Sequence, residues 1–358
     1  TRVRSSAASD VYKRQVVAST TATWSSDKYS PPIVGGAENS LQDPCLQFDV
    51  AIIDEAGQLT VPAILGALRF AKRFILVGDE KQLPPLVLSK QAAESGLSDS
   101  LFSMLKRLDN GYTKNVEQEG RACVALTVQY RMNKTICEFA AQMFYEGKLK
   151  PHVSVAQRLL EVAPEAGRVR MDATSIMQAL DPSWPMVFLD VCARDMGDGL
   201  KISNAEASTV REVVAGLLAR GVAPRNIGII APYRAQVANL RRYLLNEAEV
   251  ERWRNGQGID LAEMSIDTVD RFQGGERQVI IMSFATTTVP EAESQLREHL
   301  TNRNRLNVAL TRAQRKLILV GCAPALAELP VFRELLEYCH RMQAVSAHVP
   351  APAPATPR

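Results

Sequence analysis

The 358-residue sequence predicts an α/β fold built on mostly parallel sheets, and three observations lead to this prediction. Short apolar runs alternate with segments of helical periodicity along most of the chain. The runs are continuous rather than alternating with polar residues, which is typical of parallel strands covered on both faces. Polar motifs follow several of the runs directly, as they do in open parallel sheets that bind ligands at the ends of their strands.

Six apolar runs are predicted to be strands. They span residues 48–53, 74–77, 186–189, 227–230, 279–284 and 317–320. The spacing also predicts a helix over 204–220, with Asn204 as its N-cap and Gly221 as the residue that ends it. Its apolar positions recur at intervals of three and four residues, namely Val210, Val213, Val214, Leu217 and Leu218.

Composition and charge place the chain among ordinary globular proteins, with 46% hydrophobic and 23% charged residues. The length suffices for two domains with separate cores. A net charge of +3 does not by itself indicate nucleic-acid binding. The apolar runs are too short for a transmembrane segment, so no membrane partner is expected. The cysteines are scattered without a CxxC pair and HExxH is absent, which predicts reduced thiols of an intracellular protein and no cysteine or histidine metal site.

Both ends of the chain differ in composition from the middle. Residues 1–15 lack periodicity and are expected to be a non-native or disordered leader. Residues 336–358 are expected to be a disordered Pro/Ala-rich tail. The less regular residues 109–122 are expected to be a linker between two domains.

The first polar motif is IIDEAGQ, in which Asp54 and Glu55 follow the strand predicted at 48–53 and Gln58 lies just beyond. One carboxylate in this position can hold the hydration shell of a magnesium ion while the next orients an attacking water. The alternative is a solvated helix start, where acidic residues interact favourably with the helix dipole.

The second motif is GDEKQLPP, which follows the strand predicted at 74–77 and carries Gln82 and Pro84. Gly78 permits a sharp turn and the two prolines stiffen the path, so the Gln82 amide is held beside the same sheet edge. The alternative is a surface turn stiffened by proline.

Three further motifs lie in the C-terminal two thirds. In VQYRM, the Arg131 guanidinium can stabilise charge on a phosphoryl group and Tyr130 can stack on a base, although such a pair is also common on plain surfaces. In VDRFQGGE, Gly275 permits close approach of a ligand and Glu276 can accept from a ribose, although an ordinary turn explains the same residues. In NRNRLNVALTRA, Arg305 and Arg312 are seven residues apart on one predicted helix face, which is either a phosphate-reaching face or a solvated one.

In this order, the five motifs resemble motifs II to VI of superfamily 1 helicases of the Upf-like group, over residues 16–335. Within that group the stretches QLPPLVLSKQ, GLSDSLFSML, LTVQYRMN and IGIIAPYRAQ are most similar to the helicase region of the eukaryotic replication helicase/nucleases. The resemblance implies tandem RecA-like (P-loop NTPase) domains, with an incomplete first domain at 16–108 and the second at 123–335.

The resemblance implies an ATP- and Mg²⁺-dependent helicase that moves 5′ to 3′ on single-stranded or flapped DNA in replication and repair. A nuclear or mitochondrial location and a single-strand-binding protein as partner are further implications. An RNA helicase of the same group and a non-catalytic nucleic-acid-binding fragment are the alternatives.

The residue roles implied by the resemblance follow the motifs. Asp54 holds Mg²⁺, Glu55 activates the water, and Gln58 and Gln82 sense the γ-phosphate. Arg131 and Arg312 act as arginine fingers, Tyr130 packs by the adenine, and Gly275 and Glu276 meet the nucleotide. The implied nucleic-acid contacts are Thr20, Thr21, Pro84, Tyr233, Arg234, Gln236 and Thr268.

The sequence departs from the family pattern in two places. Glu80 stands where the family often has histidine, and the 358 residues contain no GxxxxGK[ST] phosphate loop. We therefore expect an N-terminally truncated chain that does not hydrolyse ATP appreciably alone. The nuclease domain and iron–sulfur cysteines of the implied parent are expected upstream of it.

Overall fold

A computed structural model describes residues 16–25, 48–112, 122–163, 174–192, 201–286 and 294–350. The chain divides into two units, residues 1–123 and 124–358. The predicted leader and most of the predicted linker lie outside the described residues, as do residues 351–358.

The first unit contains two parallel strands, β1 (Phe48–Ile53) and β2 (Ala71–Leu76). The second strand begins three residues before its predicted start. Four α-helices are described in this unit: Thr21–Trp24, Val61–Leu68, Lys90–Ala92 and Leu101–Tyr112. A 3₁₀ turn at Ala56–Gln58 follows β1, and a π-helical segment occupies Ala93–Leu97.

The faces of the two-stranded sheet are less buried than the sequence predicts. Ile53 and Ala56 at the end of β1 pack on Ile64 of the following helix, which gives the unit a compact apolar centre. By contrast, Ile52 and Ile75 are 70% and 52% exposed. The continuous apolar runs predicted coverage of both faces, and this prediction is wrong for β1 and β2 within the described residues.

The second unit is built on a six-stranded parallel sheet of order β10-β5-β9-β8-β6-β7. Its strands are β5 (Met186–Asp190), β6 (Ile227–Ala231), β7 (Ser265–Thr268), β8 (Arg277–Ser283), β9 (Ala313–Gly321) and β10 (Val345–Ala347). A separate parallel pair consists of β3 (Val128–Gln129) and β4 (Lys150–Pro151). The predicted α/β class with parallel sheets is confirmed.

The α-helices of the second unit connect these strands. Their bounds are Lys134–Phe144, Val153–Ala156, Thr174–Leu180, Asn204–Ala219, Arg234–Leu244, Glu247–Gln257, Val269–Phe272, Gln295–Thr301, Arg303–Leu310, Ala323–Ala327 and Pro330–Arg341. In the core of the unit, fully buried strand residues such as Ile229 and Ile281 pack with Val213 and Leu217 of a covering helix. None of the helices in the described part of the chain is long and apolar enough to cross a membrane.

The long helix Asn204–Ala219 is capped one residue earlier than predicted. The Ser203 hydroxyl accepts from the Glu206 N–H at 3.2 Å, so Ser203 and not Asn204 is the N-cap. At the other end, Gly221 has φ +83° and its N–H donates to Leu218 O at 3.0 Å, while the Val222 N–H donates to Leu217 O at 3.0 Å. These two bonds form a Schellman motif, which is why the helix ends at the predicted glycine.

The C-terminal boundary of ordered structure was predicted too early. Residues 336–341 belong to the helix Pro330–Arg341, and Val345–Ala347 pair in parallel with β5. The Pro/Ala composition applies only after residue 348, whereas Leu335, Leu336 and Cys339 are buried. The prediction of a disordered tail from residue 336 is therefore wrong for residues 336–348.

Candidate nucleotide and nucleic-acid sites

Two adjacent carboxylates extend from the end of β1 in a strained turn. Asp54 and Glu55 are both exposed, and Glu55 has the left-handed conformation with φ +51°. This conformation costs a non-glycine residue roughly 1–2 kcal/mol. Asp54 Oδ1 accepts from the Glu55 N–H at 2.9 Å, and Glu55 Oε2 accepts from the Gln58 amide at 2.6 Å. The strained backbone and the amide together fix the direction of the Glu55 carboxylate.

The loop after β2 packs directly against this turn. The Ala56 N–H donates to Val77 O and the Val77 N–H donates to Ile53 O, both at 2.8 Å. A Cβ on Gly78 would lie 2.8 Å from Gly57 N, and a Cβ on Gly57 would lie 3.2 Å from Asp79 O. Only glycine fits where the two backbones face each other, so the loops that carry Glu55 and Gln82 are held together.

Asp79 organises the second loop. Its Oδ1 accepts from the Lys81 N–H at 2.9 Å, and its Oδ2 accepts from the Gln82 amide at 3.0 Å. The predicted sensor amide of Gln82 is thus oriented by a carboxylate that the sequence analysis passed over, although Asp79 lies in the same GDEKQ motif. Gln58 and Gln82, on neighbouring loops, each hydrogen-bond an acidic side chain.

Glu80, the residue at the unusual family position, forms an ion pair with Lys106 at 2.6 Å. Burial acts to raise the pKa of the Glu80 carboxyl, but the hydrogen bond and charge of Lys106 outweigh it and the pKa is lowered. Glu80 and Lys106 line a cavity of about 410 Å³ together with Gln82, Pro84 and Arg107. The residue that replaces histidine therefore ties the loop to the helix Leu101–Tyr112.

The donor set at the ends of β1 and β2 suits a hard divalent cation. Asp54, Glu55 and Asp79 supply carboxylate oxygens, which Mg²⁺ prefers and which leave coordination positions for water. The GxxxxGK[ST] lysine and glycines, which would complete a nucleotide site in the helicases that the motifs resemble, are not among the 358 residues. The residues present thus fit the cation and the water-activating side of the chemistry.

In the second unit, Arg131 and Glu276 form an ion pair across 145 positions of sequence. Arg131 Nε donates to Glu276 Oε2 at 2.5 Å, and its Nη1 donates to Thr311 O at 3.3 Å. Gln314, which the sequence analysis did not single out, donates to Glu276 Oε1 at 2.7 Å. Burial acts to raise the pKa of the Glu276 carboxyl, but Arg131, Gln314 and the charge of Arg312 lower it.

Arg312 lies beside this pair but is only 3% exposed. Its Nε donates to Val308 O at 2.9 Å and its Nη2 to Thr311 Oγ1 at 3.1 Å. The helix ends at Leu310, so Arg312 does not share a helical face with Arg305, which pairs with Asp270 at 3.4 Å. The predicted common face is wrong because the chain leaves the helix before Arg312 to begin β9.

The other predicted nucleotide contacts are placed as follows. Tyr130 is 62% exposed and stacks on His152 with ring centroids 4.4 Å apart. Gly275 is half-buried, and a Cβ on it would approach Phe272 O at 3.2 Å, while Gly274 has φ +78°. Gln129 accepts the N–H groups of Arg131 and Met132 at 2.7 Å each, so its side chain fixes the backbone that presents Tyr130 and Arg131.

Of the predicted nucleic-acid contacts in the first unit, Thr20 caps the helix Thr21–Trp24. Its hydroxyl accepts from the Thr23 N–H at 3.4 Å and lies 3.0 Å from the Thr23 hydroxyl. Thr21 is half-buried and Pro84 is exposed. The roles of Thr20, Thr21 and Pro84 stay predictions.

In the second unit, Arg234 is exposed at the start of the helix Arg234–Leu244, directly after Tyr233. Tyr233 is 7% exposed and stacks on His299 at 5.7 Å, and burial raises the pKa of its phenol to about 12. His299 Nε2 donates to Pro232 O at 2.9 Å, and its pKa is lowered, chiefly by burial. Thr268, which ends β7, is 8% exposed.

Gln236 does not fit the predicted contact. Its side chain is fully buried, accepts from the Ser203 N–H at 3.0 Å and donates to Ser203 O at 3.1 Å and Ser283 Oγ at 2.9 Å. Ser283 in turn donates to Glu206 at 2.6 Å. The Gln236 amide is committed to this internal network, so we leave it out of the proposed nucleic-acid surface.

The two residue sets of the second unit lie at opposite edges of one sheet. Glu276 and Arg312 precede β8 and β9, and Arg277 is opposite Ala313 in register, so the arginine cluster is at the amino edge. Tyr233 and Arg234 follow β6, and Ala231 is opposite Thr268, so this set is at the carboxyl edge. The sequence predicted ligands beyond the carboxyl ends of the strands. Tyr233, Arg234 and Thr268 lie there, whereas the arginine cluster lies at the amino ends of the strands.

Two family models and a solved structure are similar to this chain. A family model described as an AAA domain matches residues 97–324, and a second with the same description matches residues 7–90. The solved structure "The structure of PRRSV helicase" is similar with a TM-score of 0.34 and 15% identity, over 78% of this chain and 37% of that one.

Two curated relatives show the level of sequence similarity. DNA replication ATP-dependent helicase/nuclease DNA2 of Xenopus laevis is 35% identical over 86% of this chain and 28% of its own length. Regulator of nonsense transcripts 1 homolog of Drosophila melanogaster is 36% identical over 82% of this chain and 22% of its own length. The chain thus spans about a quarter of the length of these relatives. Because the AAA-domain match at residues 97–324 covers more than half of it, the chain belongs to that family and is a superfamily 1 helicase region.

Proposed function

We propose that this chain is the motor region of an ATP-dependent helicase that translocates 5′ to 3′ on single-stranded or flapped DNA in replication and repair. The observation that carries the proposal is the Asp54–Glu55 turn, in which Glu55 has φ +51° and its exposed carboxylate accepts a hydrogen bond from Gln58. Strained backbone of this kind persists where the surrounding structure imposes it, and it clusters at active sites.

Each residue has a role in the proposed hydrolysis. Asp54 holds the shell of the magnesium ion, which supplies neutralisation of phosphate charge when bound. Glu55 takes a proton from the attacking water, and Gln58 keeps that carboxylate in place. Gln82, oriented by Asp79, senses the γ-phosphate oxygens.

The second unit supplies the cationic part of the proposed mechanism. Arg131 and Arg312 are the proposed arginine fingers, and Tyr130 and Gly275 line the nucleotide region. Glu276 holds the Arg131 guanidinium at 2.5 Å, which keeps this finger ordered before the nucleotide arrives. Exposed Arg234 and the neighbouring Tyr233 and Thr268 are the proposed backbone-gripping group, with Thr20, Thr21 and Pro84 in the first unit.

The direct test is single-stranded-DNA-stimulated ATP hydrolysis by the complete protein that contains this chain. We expect Glu55→Gln to reduce kcat at least about 100-fold, since general-base catalysis contributes about that factor, while nucleotide affinity is kept. Hydrolysis unchanged in Glu55→Gln would reject the proposed role and favour a non-catalytic nucleic-acid-binding module.

We further propose that the 358-residue chain alone does not hydrolyse ATP, because its sequence has no GxxxxGK[ST] loop to bind the β- and γ-phosphates. Purified chain should bind a fluorescent oligonucleotide without DNA-stimulated phosphate release. Robust turnover by this chain would contradict the proposal.

An RNA helicase is the second candidate function. The observation that favours it is the 36% identity to a regulator of nonsense transcripts 1 homolog, which matches the 35% to the DNA replication helicase/nuclease. Unwinding of matched DNA and RNA duplexes with the same overhang separates the two candidates. Faster unwinding of the RNA duplex would reject the DNA assignment.

A further inference from the structure

Three potential metal ligands meet at the carboxyl ends of β5 and β9 in the six-stranded sheet. Asp190 is the last residue of β5 and lies opposite Gly321, the last residue of β9. The Val191 N–H donates to Gly321 O at 2.9 Å, which continues the pairing beyond the strands. This register brings Cys192 and Cys322 together although 130 positions separate them.

The ligand atoms are already within coordination reach of one another. Cys192 Sγ lies 3.1 Å from Cys322 Sγ and 3.1 Å from Asp190 Oδ1, and all three ligand atoms are within 4.8 Å. The Ala323 N–H donates to Asp190 Oδ1 at 2.7 Å and fixes the carboxylate orientation, as outer partners of metal ligands do. Asp190 ends β5, and Cys192 and Cys322 follow the ends of β5 and β9, so the pairing of these two strands brings the three groups together.

Among the described residues, no cationic side chain pairs with the carboxylate of this cluster. Within the described part of the chain, Asp190 forms no ion pair, and the side-chain partner of its carboxylate is the Cys192 thiol. Two thiolates and a carboxylate in contact repel one another, and a divalent cation bound between them would make the three anionic groups favourable.

We propose that Asp190, Cys192 and Cys322 bind a thiophilic divalent cation, Zn²⁺, with two thiolates, one carboxylate and a water. Zinc–sulfur bonds of about 2.3 Å in a tetrahedron place two sulfurs about 3.8 Å apart, so the pair opens by about 0.7 Å from its present separation. Cys322 is 7% exposed and Cys192 is exposed, which leaves the water position on the solvent side.

The binding reaction is balanced without any oxidant. Two thiol protons leave as two zinc–sulfur bonds form, so the two cysteines release two protons for each bound Zn²⁺. Affinity therefore rises with pH. The cation joins the ends of β5 and β9 and is independent of the helicase function proposed above.

The test uses the reduced, metal-free full chain and Co²⁺ as an optical probe, followed by displacement with Zn²⁺. We expect a thiolate-to-cobalt charge-transfer band at one equivalent, loss of the band on adding Zn²⁺, and one zinc per chain by native mass spectrometry. The exposed position makes Cys192→Ser the decisive variant, and it should weaken metal binding about 100-fold.

Cys123→Ser is the matched control, because Cys123 is a free, half-buried thiol outside the cluster. This variant should keep the full cobalt band. The proposal is overturned if the reduced chain takes up no stoichiometric metal, or if Cys192→Ser retains the band. It is equally overturned if the only chemistry of the pair is a Cys192–Cys322 disulfide, seen as a mass loss of two hydrogens.

Discussion

Glu55 and Lys316 each occupy an environment that their residue type does not prefer. Glu55 adopts a left-handed backbone that glycine adopts without cost. Lys316 is fully buried and donates to two carbonyl oxygens, Asp181 O at 2.7 Å and Trp184 O at 2.5 Å. The strained backbone of Glu55 directs an exposed carboxylate toward the Gln58 amide. The buried Lys316 amine supplies hydrogen bonds to two carbonyl oxygens in the segment before β5.

Glu55→Gly should separate stability from chemistry. Relief of the left-handed strain is expected to stabilise the β1–β2 pair by about 1 kcal/mol, while ATP hydrolysis by the complete protein is lost. The measurement is hydrogen exchange of the Ala56 and Val77 amides, which bond across the two loops. Glu55→Ala removes the carboxylate but keeps the left-handed strain. In this control the two amides are expected to exchange at the wild-type rate or faster. Equal protection in both variants would show that φ +51° stores no strain.

Lys316 should make stability depend on pH. Burial lowers the pKa of its amine from 10.5 to about 7, and a neutral amine has two N–H groups for the two carbonyls. Between these values the unfolded chain binds one more proton than the folded chain, so the free energy of unfolding rises with pH across this window. The slope is at most about 1.4 kcal/mol per pH unit.

Lys316→Met removes the titrating group and should remove this slope. Urea unfolding of both proteins at several values from pH 7 to pH 10 gives the free energies, and their difference cancels the titration of other groups. A difference that stays constant with pH would mean that Lys316 is charged in the folded protein.

At the scale of elements, two facing loops depend on glycine contacts rather than on side-chain packing. The turn after β1 and the loop after β2 approach until Gly57 and Gly78 are almost in backbone contact. Neither glycine has a positive φ that demands it, so the requirement is purely one of space.

Gly78→Ala is expected to push the two loops apart, because its Cβ would lie 2.8 Å from Gly57 N. Overpacking of this kind costs about 1–3 kcal/mol. Lower DNA-stimulated ATPase in the complete protein and faster exchange of the Ala56 amide are the expected results. Gly256→Ala is the control, since a Cβ there meets nothing within 4 Å, and unchanged ATPase is expected. Unchanged exchange in Gly78→Ala would contradict the close approach.

Elements with continuous apolar runs were predictable from sequence, and those without them were not. The runs at β1, β5, β6 and β9 predicted strands at the right places because each is strongly apolar, although only β5, β6 and β9 are also largely buried. Strand β7 (Ser265–Thr268) has a single apolar residue, Ile266, in four positions, and β10 is short and lies at the edge of the sheet. Their pairing depends on neighbours distant in the chain, which local patterns do not encode.

The candidate sites divide in the same way. The acids at the end of β1 and the Gln82 loop follow from local motifs, so their proximity was predictable. The Glu276–Gln314 contact and the Asp190–Cys192–Cys322 cluster arise from strand register, and no spacing in the sequence signals them. The burial of Gln236 was missed because an amide in a motif looks the same whether it faces solvent or a buried serine.

In the second unit as a whole, two groups of proposed contacts lie at opposite ends of the parallel strands, one strand length apart. The Arg131–Glu276–Arg312 group is at the amino edge, and the Tyr233, Arg234 and Thr268 group is at the carboxyl edge. Substitutions at the two edges should therefore have separable effects.

Arg234→Ala should weaken single-stranded DNA binding and reduce the slope of log affinity against log salt by about one, with nucleotide affinity unchanged. Glu276→Ala should leave the salt slope unchanged and alter ATP hydrolysis, because Arg131 loses its carboxylate partner. Fluorescence anisotropy across salt concentrations and steady-state ATPase of the complete protein measure both. A changed salt slope in Glu276→Ala would contradict the separation.

Strand β8 connects the two ends of the sheet. Its seven residues connect Glu276 to Ser283 as an extended segment of about 23 Å, hydrogen-bonded on both sides and buried through most of its length. Its pairing with β9 is irregular between Arg277 and Val279 and regular from Val279 to Ser283. We therefore expect an axial displacement at Val279 to reach Ser283, which hydrogen-bonds Gln236 and Glu206. For the helicase proposed above, a smaller residue in place of the fully buried Ile280 is therefore expected to weaken the coupling between the two ends of β8 without removing any catalytic group.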